Sequence, residues 1–114
     1  MKKFDIYCKE ILSWKIAVKK VYESNLVLAF HHTKPSYRNH IVVVPKKCIL
    51  DINHMDHENT ELLIEVHKAI KISINEIWYT KYDSWIKVIT NLWKYQDSPH
   101  FHYHVICWVK KIDW

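Results

Sequence analysis

The sequence predicts an α+β fold with about five mostly antiparallel strands, one long helix and one short helix. Residues 26–30 are an apolar run of the kind found in buried strands, residues 40–44 are a run rich in β-branched side chains, and residues 100–106 alternate at the strand period of two. After residue 56, apolar side chains recur at steps of three and four, which is the helical period. A chain of 114 residues predicts one domain, spanning residues 1–114.

The first third of the chain predicts a short helix followed by a β-hairpin. Residues 4–12 form the helix, because one helical face carries Phe4, Tyr7, Cys8, Ile11 and Leu12. Residues 17–22 and 26–30 are the two strands, joined by a polar turn at residues 23–25. A loop broken by Pro35 is expected at residues 31–39.

The rest of the chain predicts three strands and the long helix. The strand at residues 40–44 stops at Pro45, and residues 46–55 form a polar connection. Asp56 is the expected cap of a helix that ends near residue 82. Strands at residues 85–89 and 100–109 follow, with a loop at residues 91–99 between them. The expected buried face of the helix consists of Leu63, Val66, Ile70, Ile74 and Ile77.

Composition excludes several function classes. The absence of glycine rules out a P-loop or a Rossmann fingerprint, because both need glycine where the backbone approaches phosphate. The net charge of +5 favours an anionic partner, but the lysines are scattered, so a phosphate-bearing small molecule is favoured over nucleic acid. No apolar run is long enough to span a membrane, so no membrane partner is expected. Three widely spaced cysteines and the lack of a signal-peptide pattern predict a cytoplasmic protein.

The most informative segment contains His100, His102 and His104 at alternate positions. On a strand their side chains share one face at intervals of roughly 6.6–6.8 Å, which lets three rings surround one small anion. A single strand histidine is usually structural or exposed, whereas three at this spacing indicate a shared functional site. The other histidines, except those at 32 and 40, are expected to be ordinary surface residues: His31, His54, His57 and His67.

These histidines and a second block resemble the histidine-triad (HIT) superfamily, specifically its Hint-like nucleotide hydrolases and transferases. The second block is Leu28-Ala29-Phe30, then Pro35, then the segment His40-Ile41-Val42-Val43-Val44-Pro45-Lys46. Gln96, four residues before the triad, matches a glutamine usual in the family. The resemblance implies a HIT-like five-stranded sheet, a homodimer with a continuous sheet, and a purine mononucleotide conjugate as substrate. The reaction would be hydrolysis or transfer at the α-phosphate of nucleoside phosphoramidates or dinucleoside polyphosphates.

The resemblance also implies roles for individual residues. His102, the middle histidine, attacks phosphorus to form a covalent nucleotidyl-histidine, since a neutral imidazole is nucleophilic near neutral pH. His104 stabilises the phosphoryl oxygens, His100 flanks the other side and assists the leaving group, and His40 orients the triad. No cofactor is required for this chemistry. The expected substrate-binding residues are Leu28, Phe30, His32, Asn91, Gln96, Asp97 and Ser98.

The chain departs from the family pattern at two places. His32 occupies the position of an acidic residue that binds ribose hydroxyls, and an imidazole cannot offer a bidentate carboxylate. The loop before the triad has no glycine and is about one residue short. Asp97 would lie near the bound phosphate, which is an unfavourable contact between like charges unless it points away.

Some bacterial members carry a structural zinc ion, and the resemblance maps its four ligands onto Asp5, Cys8, Cys48 and His100. All four side chains can bind zinc. The two cysteines are also compatible with small buried apolar positions.

Three functions are therefore compatible with the sequence. The first is a nucleotide hydrolase or nucleotidyl transferase that uses His102. The second is a nucleotide-binding module that keeps the histidines and has lost turnover, which the departures motivate. The third is a metalloprotein that uses His100, His102 and His104 as ligands, although this leaves the block around Pro45 unexplained.

Overall fold

The computed structural model describes residues 17–35, 37, 39–80, 86–92, 95–96 and 99–107. Within these residues, five antiparallel strands form one sheet in the order β1-β2-β3-β5-β4, and one long helix lies against it. The α+β prediction is therefore confirmed, while the short helix expected at residues 4–12 lies outside the described residues. The elements are β1 (Lys20–Glu23), β2 (Val27–His31), β3 (His40–Pro45), a 3-10 turn (Ile52–His54), α1 (Thr60–Thr80), β4 (Ile86–Ile89) and β5 (Tyr103–Cys107).

The predicted hairpin is present, but both strands are shifted along the chain. Glu23 pairs with Leu28, so it belongs to β1, and the turn occupies residues 24–26. The Ser24 hydroxyl oxygen accepts hydrogen bonds from the backbone N–H groups of Leu26 and Val27, and these bonds stabilise the turn. His31 is the partly buried last residue of β2, so the prediction of a surface loop residue was wrong there.

Alternate residues of the central strands separate into two faces. Val27, Ala29, Ile41, Val43 and Val105 face α1 and form the main hydrophobic core with it. The intervening residues of the same strands lie on the other face, because successive strand side chains point in opposite directions. A second apolar cluster on that other face consists of Leu28, Phe30, Val42 and Val44, and the histidine cluster lies on the same face.

The helix begins three residues later than predicted. Asn59, not Asp56, caps it, because the Asn59 Oδ1 atom accepts the N–H of Leu62, the third residue of the helix. The Asp56 carboxylate accepts the N–H of Glu58, and its carbonyl accepts the N–H of Asn59. Asp56 therefore organises a turn that precedes the helix.

The buried face of α1 also differs from the prediction at its first turn. Leu62 is 3% exposed and lies in the core, whereas Leu63, which was expected there, is 40% exposed. The face continues through Val66, Ala69, Ser73 and Ile77, and the Ser73 hydroxyl donates to the Ala69 carbonyl. No helix in the described part of the chain is both long and apolar enough to cross a bilayer.

The last strand starts at Tyr103, three residues after the predicted start. It lies between β3 and β4, with Val105 opposite both Ile41 and Val88. The preceding residues leave the ladder because their polar groups bond elsewhere: the Phe101 N–H donates to the Ile49 carbonyl, and the His102 carbonyl accepts from Thr90. Residues 108–109 of the predicted strand lie outside the described residues.

Candidate active site

Two histidines from adjacent strands meet on the face opposite the helix. His40 is the first residue of β3 and pairs with Ile106, while His104 of β5 pairs with Val42. This register places the His40 Nε2 atom 2.7 Å from the His104 Nδ1 atom. The sheet itself therefore creates the contact, although the two residues are far apart in the sequence.

His102 extends the row of rings. Its Nε2 atom lies 3.0 Å from the His104 Nε2 atom, and its Nδ1 atom lies 2.6 Å from the main-chain oxygen of His100. The rings of His102 and His104 are nearly perpendicular, with centroids 4.6 Å apart. Three imidazoles, those of His40, His104 and His102, are therefore in consecutive contact.

The hydrogen bonds in this row assign the tautomer of each neutral ring. A carbonyl oxygen can only accept, so His102 Nδ1 carries the proton and His102 Nε2 keeps its lone pair. His104 Nε2 must then donate to His102, which leaves a lone pair on His104 Nδ1. That lone pair accepts from His40 Nε2. One main-chain oxygen thus sets the proton positions along the entire row.

Burial keeps the His40 ring uncharged at neutral pH. Desolvation, followed by the repulsion of His32, His104 and His102, lowers the pKa of His40 from 6.5 to about 3. His40 is 7% exposed, and His104 and His102 are 6% and 2% exposed. The neutral form of His40 is therefore present throughout the neutral pH range, and it holds the His104 tautomer fixed.

His32 forms the outer end of the row. Its ring stacks on His40 with centroids 4.4 Å apart, and it lies 6.2 Å from the ring of His104. The backbone N–H of Lys34 donates to its Nδ1 atom, so the neutral ring carries its proton on Nε2. The Tyr37 and His40 rings meet edge to face, with centroids 5.7 Å apart. The position that the resemblance assigns to a carboxylate thus holds a hydrogen-bond donor.

His100 contributes to the site through its backbone. Its main-chain oxygen fixes His102, while its fully buried ring lies with Nε2 3.0 Å from the Pro45 carbonyl oxygen, to which it can only donate. The sequence suggested that the ring would flank the phosphate and assist the leaving group. This contact engages the Nε2 atom of the ring, and the predicted catalytic role of His100 stays a prediction.

The predicted substrate-binding residues occupy different environments. Gln96 is 4% exposed and donates from Nε2 to the Leu50 carbonyl at 2.7 Å, so this amide nitrogen joins two loops. Leu28 and Phe30 are each 1% exposed within the second apolar cluster, and Asn91 is half-buried. Asp97 and Ser98 lie outside the described residues, so their proposed contacts stay predictions.

One residue that holds the site together was missed by the sequence analysis. The Thr90 hydroxyl donates to the His102 carbonyl at 2.8 Å, directly after β4 ends. A threonine at the end of a strand is common, and its spacing from the triad carries no recognisable signal. Only the β4–β5 register reveals this contact.

The residues described here provide no assembled metal site. No three His, Cys, Asp or Glu side chains among them are arranged to hold a metal ion. The set of His100, His102 and His104 is likewise not arranged as a metal site. The structure describes two of the four proposed zinc ligands: Cys48 is disulfide-bonded, and the His100 Nε2 atom donates to the Pro45 carbonyl. Asp5 and Cys8 lie outside the described residues, and the zinc set stays a prediction.

Comparison with known proteins gives concordant matches. The model of the HIT domain matches residues 14–110. An uncharacterized HIT-like protein of Borreliella burgdorferi is 33% identical over 103 residues, covering 89% of this chain and 73% of the relative. A HIT family protein from Bacillus anthracis superposes with a TM-score of 0.82 at 25% identity, covering 97% of this chain and 77% of the other. A HIT family hydrolase from Clostridium thermocellum has a TM-score of 0.73 at 25% identity, covering 92% and 90%.

Proposed function

The chain belongs to the HIT family, and from this premise we propose that it is a nucleotide hydrolase or nucleotidyl transferase acting at the α-phosphate of its substrate. The substrates would be nucleoside phosphoramidates or dinucleoside polyphosphates with a purine nucleotide. One observation carries the proposal: the His102 Nδ1 proton is bound by the His100 carbonyl, so a lone pair remains at His102 Nε2 beside the donor His104. The solved HIT family hydrolase from Clostridium thermocellum supports the reaction class.

In the first step, the His102 Nε2 lone pair forms a bond to the α-phosphorus while the bond from phosphorus to the leaving group breaks. The leaving group departs as an amine or a phosphate after taking up a proton from solvent. Water then attacks the nucleotidyl-histidine, releases the nucleoside monophosphate, returns one proton to solvent and regenerates neutral His102. Dividing the displacement in this way replaces one difficult step by two easier ones.

His104 supplies the donor for the charge that develops on phosphorus. Its Nε2 proton is donated to His102 Nε2. A phosphoryl oxygen beside His102 would accept the same proton, and this bond would be strong because the site is almost closed to water. His40 keeps the proton on the required nitrogen by donating to His104 Nδ1.

The contact between His102 and His104 also defines what binding requires. With 3.0 Å between their Nε2 atoms, no phosphate fits between the two rings. A phosphate must therefore approach His102 from beside the pair, and the His104 Nε2–H group exchanges its bond to His102 for one to a phosphoryl oxygen.

The experiment is a turnover assay with adenosine phosphoramidate and a series of diadenosine polyphosphates. Substitution of the nucleophile, as His102→Ala or His102→Asn, should abolish turnover. His67 is an exposed residue of α1, and His67→Ala is the matched control. Single-turnover reactions with substrate labelled at the α-phosphate should trap the label on His102 in the wild type. Undetectable turnover of every substrate by the folded wild type would overturn the proposal.

A second candidate is a nucleotide-binding module without turnover, and His32 is the observation that favours it. The ring presents an Nε2 donor where a carboxylate would engage both ribose hydroxyls. Calorimetry with adenosine monophosphate separates the two candidates. Binding by a wild type that turns over no member of the panel would favour the module.

A further inference from the structure

The segment that carries the nucleophile is not held by the sheet. The β3–β5 ladder ends at the pair of Val43 and Tyr103, so residues 100–102 precede it. Their backbone groups are fixed by isolated contacts with other parts of the chain: the Phe101 N–H binds the Ile49 carbonyl, and the His102 carbonyl binds the Thr90 hydroxyl. The position of His102 therefore depends on a few individual hydrogen bonds.

We propose that Thr90 is a positioning residue for His102. Thr90 follows β4, whose last residue pairs with His104, and its hydroxyl donates to the His102 carbonyl at 2.8 Å. This bond fixes the peptide unit between residues 102 and 103, which includes the Cα atom that carries the His102 side chain. The ring is fixed at its other end by the bond from Nδ1 to the His100 carbonyl.

The two bonds act together on the reactive atom. With both the backbone and the Nδ1 side of the ring held, His102 Nε2 has little freedom to leave its alignment with His104 Nε2. Loss of the Thr90 bond would leave a half-buried carbonyl without its donor and release the peptide plane. A small displacement of a nucleophile lowers the rate more than it lowers substrate binding.

If Thr90 only filled space, activity would depend on the size and shape of its side chain and not on its hydroxyl group. Thr90→Val keeps the shape and removes the donor, Thr90→Ala removes both, and Thr90→Ser keeps the donor while removing the methyl group. The exposed first residue of α1 gives the matched control, Thr60→Val. A positioning role predicts that activity follows the hydroxyl, not the side-chain volume.

The kinetic test rests on the proposed function and uses adenosine phosphoramidate as substrate. For Thr90→Val and Thr90→Ala, kcat should fall about tenfold while KM changes less than about twofold. Thr90→Ser and Thr60→Val should keep the wild-type kcat within about twofold. Equal losses in Thr90→Ser and Thr90→Val, or a wild-type kcat in Thr90→Val, would overturn the proposal.

A second readout does not depend on turnover. In protein labelled with ¹⁵N-histidine, NMR resolves the ring nitrogens of individual histidines. The His102 ring signals should shift or broaden in Thr90→Val and return in Thr90→Ser, while the signals of the exposed residues His54 and His67 stay unchanged. If the wild type turns over no substrate, the proposed function fails, and unchanged His102 signals in Thr90→Val would separately overturn the role of Thr90.

Discussion

The protonation of His40 links the site to the stability of the fold. Its pKa falls from 6.5 to about 3 because the ring is desolvated and lies among other imidazoles. Between these two pH values the unfolded chain binds a proton at this residue and the folded chain does not. The stability associated with His40 is therefore fully present above pH 6.5 and is lost as the pH falls towards 3.

The low pKa of His40 predicts that the pH dependence of stability differs between the wild type and His40→Gln. The glutamine keeps a side-chain donor and cannot be protonated. As the pH falls from 6.5 towards 3, the free energy of unfolding should decrease more in the wild type, by on the order of a few kcal/mol. Urea unfolding across this range measures the difference. His67→Gln is the control, and an unchanged pH dependence in His40→Gln would show that His40 is not the cause.

The sequence indicated which histidines lie together, but not which main-chain groups bind the side chains around them. Alternation placed His102 and His104 on one face, and the resemblance brought His40 to them. The sequence could not show that the buried His100 ring donates to the Pro45 carbonyl, or that the Gln96 amide donates to the Leu50 carbonyl. Both acceptors are main-chain oxygens from a remote segment, and main-chain oxygens leave no trace in side-chain patterns.

At the scale of elements, the start of α1 shows how local chemistry decides between neighbouring signals. Asp56 and Asn59 are both residue types that cap helices, and the sequence alone favoured the first. Leu62 and Leu63 are likewise adjacent leucines, and moving the start of the face by one residue rotates it by about 100°. The sheet selects Leu62, which packs in the core with Val66 and Ala69, whereas Leu63 is 40% exposed.

The cap assignment predicts a measurable difference between two similar substitutions. Asn59→Ala removes the acceptor for the Leu62 N–H and should lower the free energy of unfolding by about 1 kcal/mol. Asp56→Ala removes only a turn contact to Glu58 and should cost less than half of that, about 0.5 kcal/mol at most. Chemical denaturation of both variants provides the measurement. A larger loss in Asp56→Ala would show that the helix is capped at the earlier position.

At the scale of the whole molecule, the two faces of the sheet have separate tasks. The face against α1 holds the main hydrophobic core, and the opposite face holds the row of imidazoles. The alternation of strand residues predicted this division, since the same strands supply both faces. The sequence could not show how closely the rings approach one another, because that depends on the register of β3 against β5.

The edges of the sheet bear on the homodimer with a continuous sheet that the family resemblance implies. β1 forms one edge, where an irregular register between Lys20 and Tyr22 and the charged residues Lys20 and Glu23 disfavour pairing with another strand. β4 forms the other edge, and within the described part of the chain it pairs only with β5. Its pairing with β5 is regular, and Val88 is 42% exposed there. If two copies extend one sheet, β4 is therefore the expected contact.

A charge at this edge tests the expectation. Two-fold pairing of β4 strands brings the central residues of both copies close together, so Val88→Lys would place like charges side by side. Sedimentation equilibrium should show a dimer for the wild type and a dissociation constant at least about tenfold higher for Val88→Lys. Thr60→Lys adds the same charge at an exposed position of the helix and should leave the dimer unchanged. A monomeric wild type would contradict the dimer itself, whereas a dimer that tolerates Val88→Lys would place the contact elsewhere on the molecule.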